Sequence, residues 1–171
     1  MPRREVVELM DLPAVPAVLR DGLTGALRAA EELFRPYDGL VGRLGSLLAL
    51  AEHLNRQGDY IAVYANIETA QALRENVERA MAVIVTDIAH WARFAQPGGE
   101  VAALARAVLA TTPAESALTV FLARWCETAP KPVVLFLDEV DALIGDTLIA
   151  LLRQLRSGYP TRPSAFPQSL I

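Results

Sequence analysis

The fold is decided by the stretch Lys131-Pro132-Val133-Val134-Leu135-Phe136-Leu137-Asp138-Glu139-Val140-Asp141. Its five consecutive apolar residues, 133–137, are too few to span a membrane and are rich in β-formers, so they predict a strand buried on both faces. Two acids follow directly, and a third comes at Asp141. Open α/β sheets place their ligands beyond the carboxyl ends of parallel strands, so these carboxylates are candidate functional groups. Ionised carboxylates in such a place are costly unless a metal or hydrogen-bond donors meet them.

This stretch resembles the Walker B motif of P-loop ATPases, in the acidic Asp-Glu form of AAA-type enzymes. The resemblance implies that Asp138 would hold Mg²⁺, usually through water, and that Glu139 would polarise the attacking water. Asp141 would lie nearby, outside the direct metal ligands or as a capping group. The candidate catalytic residue is therefore Glu139, and the candidate cofactor-binding residues are Asp138 and Asp141. Any buried strand that ends in two acids imitates the motif, so a purely structural strand is the competing interpretation.

The flanking sequence extends the resemblance. Residues 135–155 with the following RSGYPTRPSAFPQS, and residues 58–81, look like a bacterial family of AAA-like ATP-binding proteins. The resemblance covers residues 46–171 and implies ATP and Mg²⁺ as cofactors, ATPase chemistry and a sheet order like 5-1-4-3-2. The expected fold is α/β: an incomplete, helix-rich, three-layer P-loop NTPase-like domain with two parallel strands at about 60–67 and 132–138. In that order these are the second and third strands, and a fourth would begin near Leu170, where this sequence ends.

The phosphate-binding half of an ATP site is missing from this sequence. P-loops turn backbone N–H groups and a Gly-Lys-Ser/Thr lysine onto the phosphates. At the corresponding position the chain has Asp38-Gly39-Leu40-Val41-Gly42-Arg43-Leu44-Gly45-Ser46, and Lys131 is its only lysine. Arg43 does not fit the lysine's path into a tight loop, and the glycine spacing is wrong. The favoured interpretation is the start of a helix, so we expect no ATP hydrolysis by this chain alone and leave open whether ATP and Mg²⁺ bind.

Residues 1–45 are predicted to be a helical N-terminal segment whose origin the sequence leaves open. The stretches 4–11 and 33–40 weakly resemble the helical lead-in of some bacterial class I methyltransferases, but no glycine-rich loop for S-adenosylmethionine follows. Residues 46–171 would be the partial AAA-like domain. The first strand of the family is also missing. Because the fourth strand, the expected neighbour of the strand at 133–137, would only begin near Leu170, one edge of that strand is expected to be open or covered by an N-terminal helix.

Apolar residues recur at helical spacing in most of the chain. Helices are predicted at about 18–34, 40–56, 69–94 and 100–109, from Pro113 with Thr112 as N-cap to a point before Pro130, and over 147–156 with Asp146 as N-cap. The only cysteine, Cys126, falls on an apolar-periodic segment and is predicted to be a small core residue. His53 and His90 lack metal-ligand spacing and are predicted to be helix-surface or hydrogen-bonded polar residues.

Composition narrows the functional classes. The 171 residues have a net charge of −4, 6% aromatic and 53% hydrophobic residues, and no basic block, so nothing indicates nucleic-acid binding. No uncharged apolar run approaches the ~18 residues of a transmembrane helix, and the N-terminus lacks a signal-peptide apolar region, so a cytoplasmic location is expected. Two alternatives stay open: a helical interaction module that self-associates or binds a protein through exposed apolar surface, and an ATPase subunit that completes a site in trans.

Overall fold

The computed structural model describes the backbone of residues 40–170 and the side chains of residues 47–170. The predicted helix at 18–34 and the methyltransferase-like stretches up to residue 39 lie outside this range. The chain divides into two compact units, residues 1–53 and 54–171. Helix α1, Leu40–Gln57, begins in the first unit and confirms the helix predicted at about 40–56. The glycine-containing stretch 42–46 is therefore helical, which supports the helix-start interpretation over a phosphate-binding loop.

The second unit contains a small parallel sheet in the order β1-β2-β3. Strand β1 is Ile61–Asn66, β2 is Val133–Asp138 and β3 is Ser169–Leu170. β1 and β2 pair in parallel over their whole length, from Ile61 opposite Val133 to Asn66 opposite Asp138. The two predicted strands, their direction and the α/β class are thus confirmed, and the expected beginning of a further strand near Leu170 is present as β3.

The sheet corrects one expectation about its edges. β2 was expected to have an open or helix-covered edge, but β3 pairs with it in parallel, with Ser169 opposite Val134 and Leu170 opposite Leu135. A buried strand needs hydrogen-bond partners for its backbone groups on both sides, and the last residues of the described chain supply part of them. All of residues 133–137 are buried, as predicted.

The outer edge of β1 is covered at one residue by a side chain. The Asn55 amide donates from Nδ2 to the Ala62 carbonyl at 2.8 Å and accepts at Oδ1 from the Ala62 N–H at 2.9 Å. One side-chain amide therefore satisfies both backbone groups that a neighbouring strand would otherwise pair. Edge strands with unpaired backbone groups invite pairing with other chains, and Asn55 reduces that hazard.

Three helices connect β1 to β2: α2 (Val77–Ala95), α3 (Val101–Thr111) and α4 (Ala114–Thr128). Helix α5, Gly145–Gly158, connects β2 to β3. Short 3-10 turns occupy Glu68–Leu73, Val140–Ala142 and Tyr159–Thr161. α2 packs against β1, α3, α4 and α5, and α4 packs against α5. Within residues 40–170, none of the helices combines the length and hydropathy that a membrane crossing requires.

Three helix boundaries differ from the sequence prediction. Pro113 is the N-cap of α4 and not its first helical residue, so Thr112 does not cap this helix. The single helix expected over 69–94 is broken into a 3-10 turn and α2, because Arg74 has a positive φ of 47°. Asn76 then starts a new helix, its side chain accepting a hydrogen bond from the Arg79 N–H, the usual role of asparagine at an N-cap. α5 follows Ile144 without a side-chain cap, so Asp146 lies in its first turn and is not its N-cap.

The core lies between one face of the sheet and helices α2–α5. Its strand residues alternate, as a pleated strand requires, and its helix residues come from the apolar stripes. Cys126 is buried in this core, as predicted, and burial followed by the neighbouring charge of Glu127 raises the pKa of its thiol to about 12. The largest buried side chains of the core include Trp125, Phe121, Phe166, Met81, Ile84 and Ile88.

Candidate functional site

Asp138 ends β2, and its carboxylate accepts hydrogen bonds at both oxygens. Oδ2 accepts from the Tyr64 hydroxyl at 2.7 Å, and Oδ1 accepts from the Glu139 backbone N–H at 3.1 Å. Its main-chain carbonyl accepts from the Ile67 N–H at 3.2 Å, which continues the pairing of β1 and β2 past the strand ends. Asp138 therefore ties the carboxyl ends of both strands together. These two donors offset the cost of holding an ionised carboxylate at the end of a buried strand.

Tyr64 is the partner that the sequence analysis missed. Only 6% of it is exposed, and burial, followed by the hydrogen bond and charge of Asp138, raises the pKa of its hydroxyl above its ordinary value. The hydroxyl thus stays protonated and donates to Asp138. The register puts Tyr64 opposite Phe136, two residues before Asp138, so Tyr64 and Asp138 are diagonal neighbours on one face. Side chains alternate between the two faces along each predicted strand. Pairing the two strands in register would therefore have placed Tyr64 and Asp138 on the same face.

Glu139 follows with a left-handed backbone, φ 63° and ψ 29°. Few residues other than glycine, asparagine and aspartate adopt this conformation, and it often occurs near functional sites. Glu139 precedes the 3-10 turn of residues 140–142, and its carbonyl accepts from the Ala142 N–H at 3.1 Å. Asp141 lies inside that turn and is exposed. The left-handed residue thus sends the chain sharply away from the end of β2.

An open groove of about 890 Å³ lies beside the carboxyl end of β1. The 3-10 turn at 68–73 and α2 line it, together with residues 142 and 144, which follow β2 in the chain. His90 is exposed on α2, in agreement with its predicted surface position, and meets the rings of Trp91 and Phe94 edge-on. Sequence reasoning gave the other lining residues no role: Asn66, Glu68, Thr69, Gln71, Ala72, Arg74, Asp87, Trp91, Ala142 and Ile144.

The charges of the groove are of both signs. Asp87 accepts a hydrogen bond from the Thr69 hydroxyl, which joins α2 to the 3-10 turn. Arg74 is exposed, and its carbonyl accepts from the hydroxyl of the buried Thr147 on α5. The hydrogen bonds of Asp87 and Arg74 therefore connect α2 to the 3-10 turn and the end of that turn to α5. A groove with this mixture does not have the concentrated positive charge that a triphosphate requires.

The residues described do not make a complete Mg²⁺-ATP site. Within residues 40–170 no group of three or more His, Cys, Asp or Glu side chains could hold a metal ion. Lys131 precedes β2, whereas Asp138 ends it. A strand rises ~3.3 Å per residue, so the seven steps between them separate the lysine from the carboxylate by about 20 Å. The lysine and the acids therefore lie at opposite ends of the sheet.

Comparison of the chain with protein-family models, with curated proteins and with solved structures gave no match.

Proposed function

We propose that residues 46–171 are a partial, degenerate AAA-like ATP-binding domain that has kept the acidic strand of that family but does not hydrolyse ATP by itself. The observation that carries the proposal is the position of Asp138 at the carboxyl end of the middle strand of a parallel sheet. That is the place of the Walker B acid in the family that the sequence resembles. The helical stretch 42–46, where the family has its phosphate loop, and the position of Lys131 at the other end of β2 support the second part, that the chain alone does not hydrolyse ATP.

The strand order supports the family part of the proposal. In the order 5-1-4-3-2, the strand with the acidic motif has the second strand on one side and the fourth on the other. In this chain β2 has β1 on one side and β3 on the other, all parallel. The chain order of the three strands fits the same assignment, since β1, β2 and β3 follow one another as strands two, three and four.

The hydrogen bonds of Asp138 support the second part. In a magnesium site its oxygens would face the ion or its water ligands, but here Tyr64 and the Glu139 backbone donate to them. The carboxylate has a structural use that needs no nucleotide. The acidic strand end can thus persist in a chain from which the phosphate loop is missing.

The test compares phosphate release by the wild-type chain, Glu139→Gln and Asp138→Asn in the presence of Mg²⁺ and ATP. The proposal predicts the same background rate for all three proteins, because the only lysine of the sequence lies at the opposite end of β2 from the acids. Far-UV circular dichroism of each variant confirms that it is folded. A wild-type rate at least tenfold above that of Glu139→Gln would overturn the proposal. A rate that appears only when a P-loop protein is added, and that is lost in Asp138→Asn, would instead favour the alternative of a site completed in trans.

A further inference from the structure

The groove beside the carboxyl end of β1 has acids at one end and an arginine at the other. Glu68 and Asp87 line it, and the Thr69 hydroxyl donates to Asp87, which ties Asp87 to the start of the 3-10 turn of residues 68–73. Arg74 also lines the groove and directly follows the last residue of that turn. A 3-10 helix rises ~2 Å per residue, so the five steps from Thr69 to Arg74 separate the two ends by about 10 Å.

The backbone of Arg74 is held in place at its end of the groove. Its φ of 47° is a value that residues other than glycine rarely adopt. Its N–H donates to the Gln71 carbonyl at 3.2 Å, and its carbonyl accepts from the hydroxyl of the buried Thr147. The side chain itself is exposed. These backbone contacts fix the point from which the guanidinium extends and leave it accessible to an anionic group.

Apolar residues from three elements complete the lining. They are Ala72 in the 3-10 turn, Trp91 on α2, and Ala142 and Ile144 after β2. Ile144 is 48% exposed although it is a large apolar residue, and Trp91 is half-buried. Gln71, which lies between Thr69 and Arg74 in the chain, adds an exposed amide that can donate and accept hydrogen bonds. The groove therefore offers two opposite charges about 10 Å apart, apolar surface and an amide.

We propose that this groove binds a short peptide with free termini, about three residues long. An extended chain spans about 3.3–3.6 Å per residue, so three residues match the distance between the two charged ends. The N-terminal ammonium group pairs with Asp87 and Glu68. The C-terminal carboxylate pairs with Arg74, whose planar fork can donate two parallel hydrogen bonds to it. An apolar side chain in the middle of the peptide covers Trp91.

The position and size of the groove agree with this ligand. Open α/β sheets bind their ligands beyond the carboxyl ends of parallel strands, and the groove lies at that end of β1. Its volume of about 890 Å³ is within the range of about 300–1,000 Å³ typical of small-molecule sites. Neither Asp138 nor Glu139 lines it. The inference therefore does not depend on the ATPase family assignment.

The experiment is an NMR titration of the isotope-labelled full chain with the tripeptide alanyl-leucyl-alanine. The indole N–H signal of Trp91 should shift and saturate with a Kd of about 0.1–1 mM, the range of a small ligand in an open groove. The indole N–H signal of the buried Trp125 is the internal control and should stay in place. The absence of a saturable shift of the Trp91 signal up to about 10 mM peptide, or equal shifts of the two signals, would overturn the proposal.

Blocked peptides test the recognition of both termini. Acetylation of the N-terminus removes the ammonium charge, and amidation of the C-terminus removes the carboxylate. Each should weaken binding about threefold to tenfold, because each removes one ion pair. Free leucine, which is too short to reach both ends, should bind at least tenfold more weakly than the tripeptide. If the blocked tripeptides or leucine bind as tightly as the free tripeptide, recognition of a peptide by its two termini is wrong.

Two variants assign the ends of the groove. Arg74→Gln should weaken binding of the free tripeptide about threefold to tenfold and remove the difference between the tripeptide and its amide. Asp87→Asn, which keeps an acceptor for the Thr69 hydroxyl, should reduce the difference between the tripeptide and its acetylated form. Arg79→Gln and Glu78→Gln are the matched controls, since both residues are exposed on α2 and outside the groove lining, and they should leave Kd unchanged. If either groove variant acts no more strongly than its control, the proposed binding mode is overturned.

Discussion

At the scale of single residues, Tyr64 and Asp138 decide what the acidic strand end does. The hydroxyl of Tyr64 donates to Asp138 across the pair of strands, and both residues are at or near the carboxyl edge of the sheet. Hydrogen bonds to a charged group contribute more than neutral ones, and a buried acceptor that loses its donor costs about 1–3 kcal/mol. The pair therefore links the strand ends through side chains as well as through the backbone.

Tyr64→Phe should lower the free energy of unfolding by about 1–3 kcal/mol at pH 7, because Asp138 loses its hydroxyl donor while the ring is kept. Chemical denaturation measures this loss. Tyr60→Phe is the control, since Tyr60 is only half-buried, and it should change stability by less than about 0.5 kcal/mol. Equal effects of the two substitutions would contradict a specific role for Tyr64.

The same residue predicts a dependence on alkaline pH. The pKa of Tyr64 is raised in the folded chain, so the native state keeps a proton that the unfolded chain loses near pH ~10. Its stabilising contribution is complete below that pH and is lost as the pH rises toward the native pKa. We expect a smaller decline of unfolding free energy above pH ~10 in Tyr64→Phe than in wild type. Parallel declines in the two proteins would show that Tyr64 does not titrate as described.

Gly158 is needed for space and not for its backbone angles. A Cβ there would lie 2.0 Å from the Cε2 atom of the fully buried Phe166. Gly158→Ala should therefore cost roughly 1–3 kcal/mol or more by overpacking, although alanine is the better helix former. Gly98→Ala is the matched comparison, with φ +81° and no atom within 4 Å. Its cost should be about 1 kcal/mol, from the backbone alone. A stabilising Gly158→Ala in thermal unfolding would contradict the close contact with Phe166.

At the scale of elements, the spacing of apolar residues predicted the helices and strands that local sequence determines. The apolar run 133–137 gave β2, and the helical spacing gave α1 through α5 with small errors at their ends. The break at Arg74 was missed because a positive φ in a non-glycine residue has no local signal. Tyr64 was missed because its role depends on register between strands far apart in sequence. β3 was only suggested, since two residues at the end of a proline-rich stretch have no period of their own.

Gln154 joins α4 to α5 through a buried amide. Its Oε1 accepts from Leu118 N–H at 2.9 Å and from Thr119 N–H at 3.3 Å, and its Nε2 donates to the Ala114 carbonyl at 2.9 Å. The amide thus bridges backbone groups in the first turns of α4. It is 3% exposed, so water does not replace these bonds readily. The two helices are therefore held in register by a polar contact inside an apolar interface.

Gln154→Ala should cost about 2–3 kcal/mol, because the hydrogen bonds are lost and a cavity is left between α4 and α5. Urea denaturation gives the value. Arg153→Ala changes the exposed neighbour on the same helix and should stay within about 0.5 kcal/mol. If Gln154→Ala is as mild as Arg153→Ala, the amide does not hold the helices together.

At the scale of the whole molecule, the two ends of the sheet in the second unit differ. Asp138 and Glu139 lie at the carboxyl end of β2, and Lys131, the only lysine of the sequence, lies at the other end. A nucleoside triphosphate with Mg²⁺ needs the acids and the lysine at the same end of the sheet. The separation of about 20 Å along β2 follows from strand geometry and does not depend on side-chain rotamers. The hydrogen bonds of Asp138 therefore give the acidic motif a structural use in the sheet.

Isothermal titration calorimetry of the chain with ATP and excess Mg²⁺ tests this claim most directly. We predict no saturable heat up to about 1 mM ATP and the same trace for Asp138→Ala, with circular dichroism as the check that both proteins are folded. One-to-one binding with a micromolar Kd that is lost in Asp138→Ala would contradict it, because the acidic strand would then be part of a working nucleotide site.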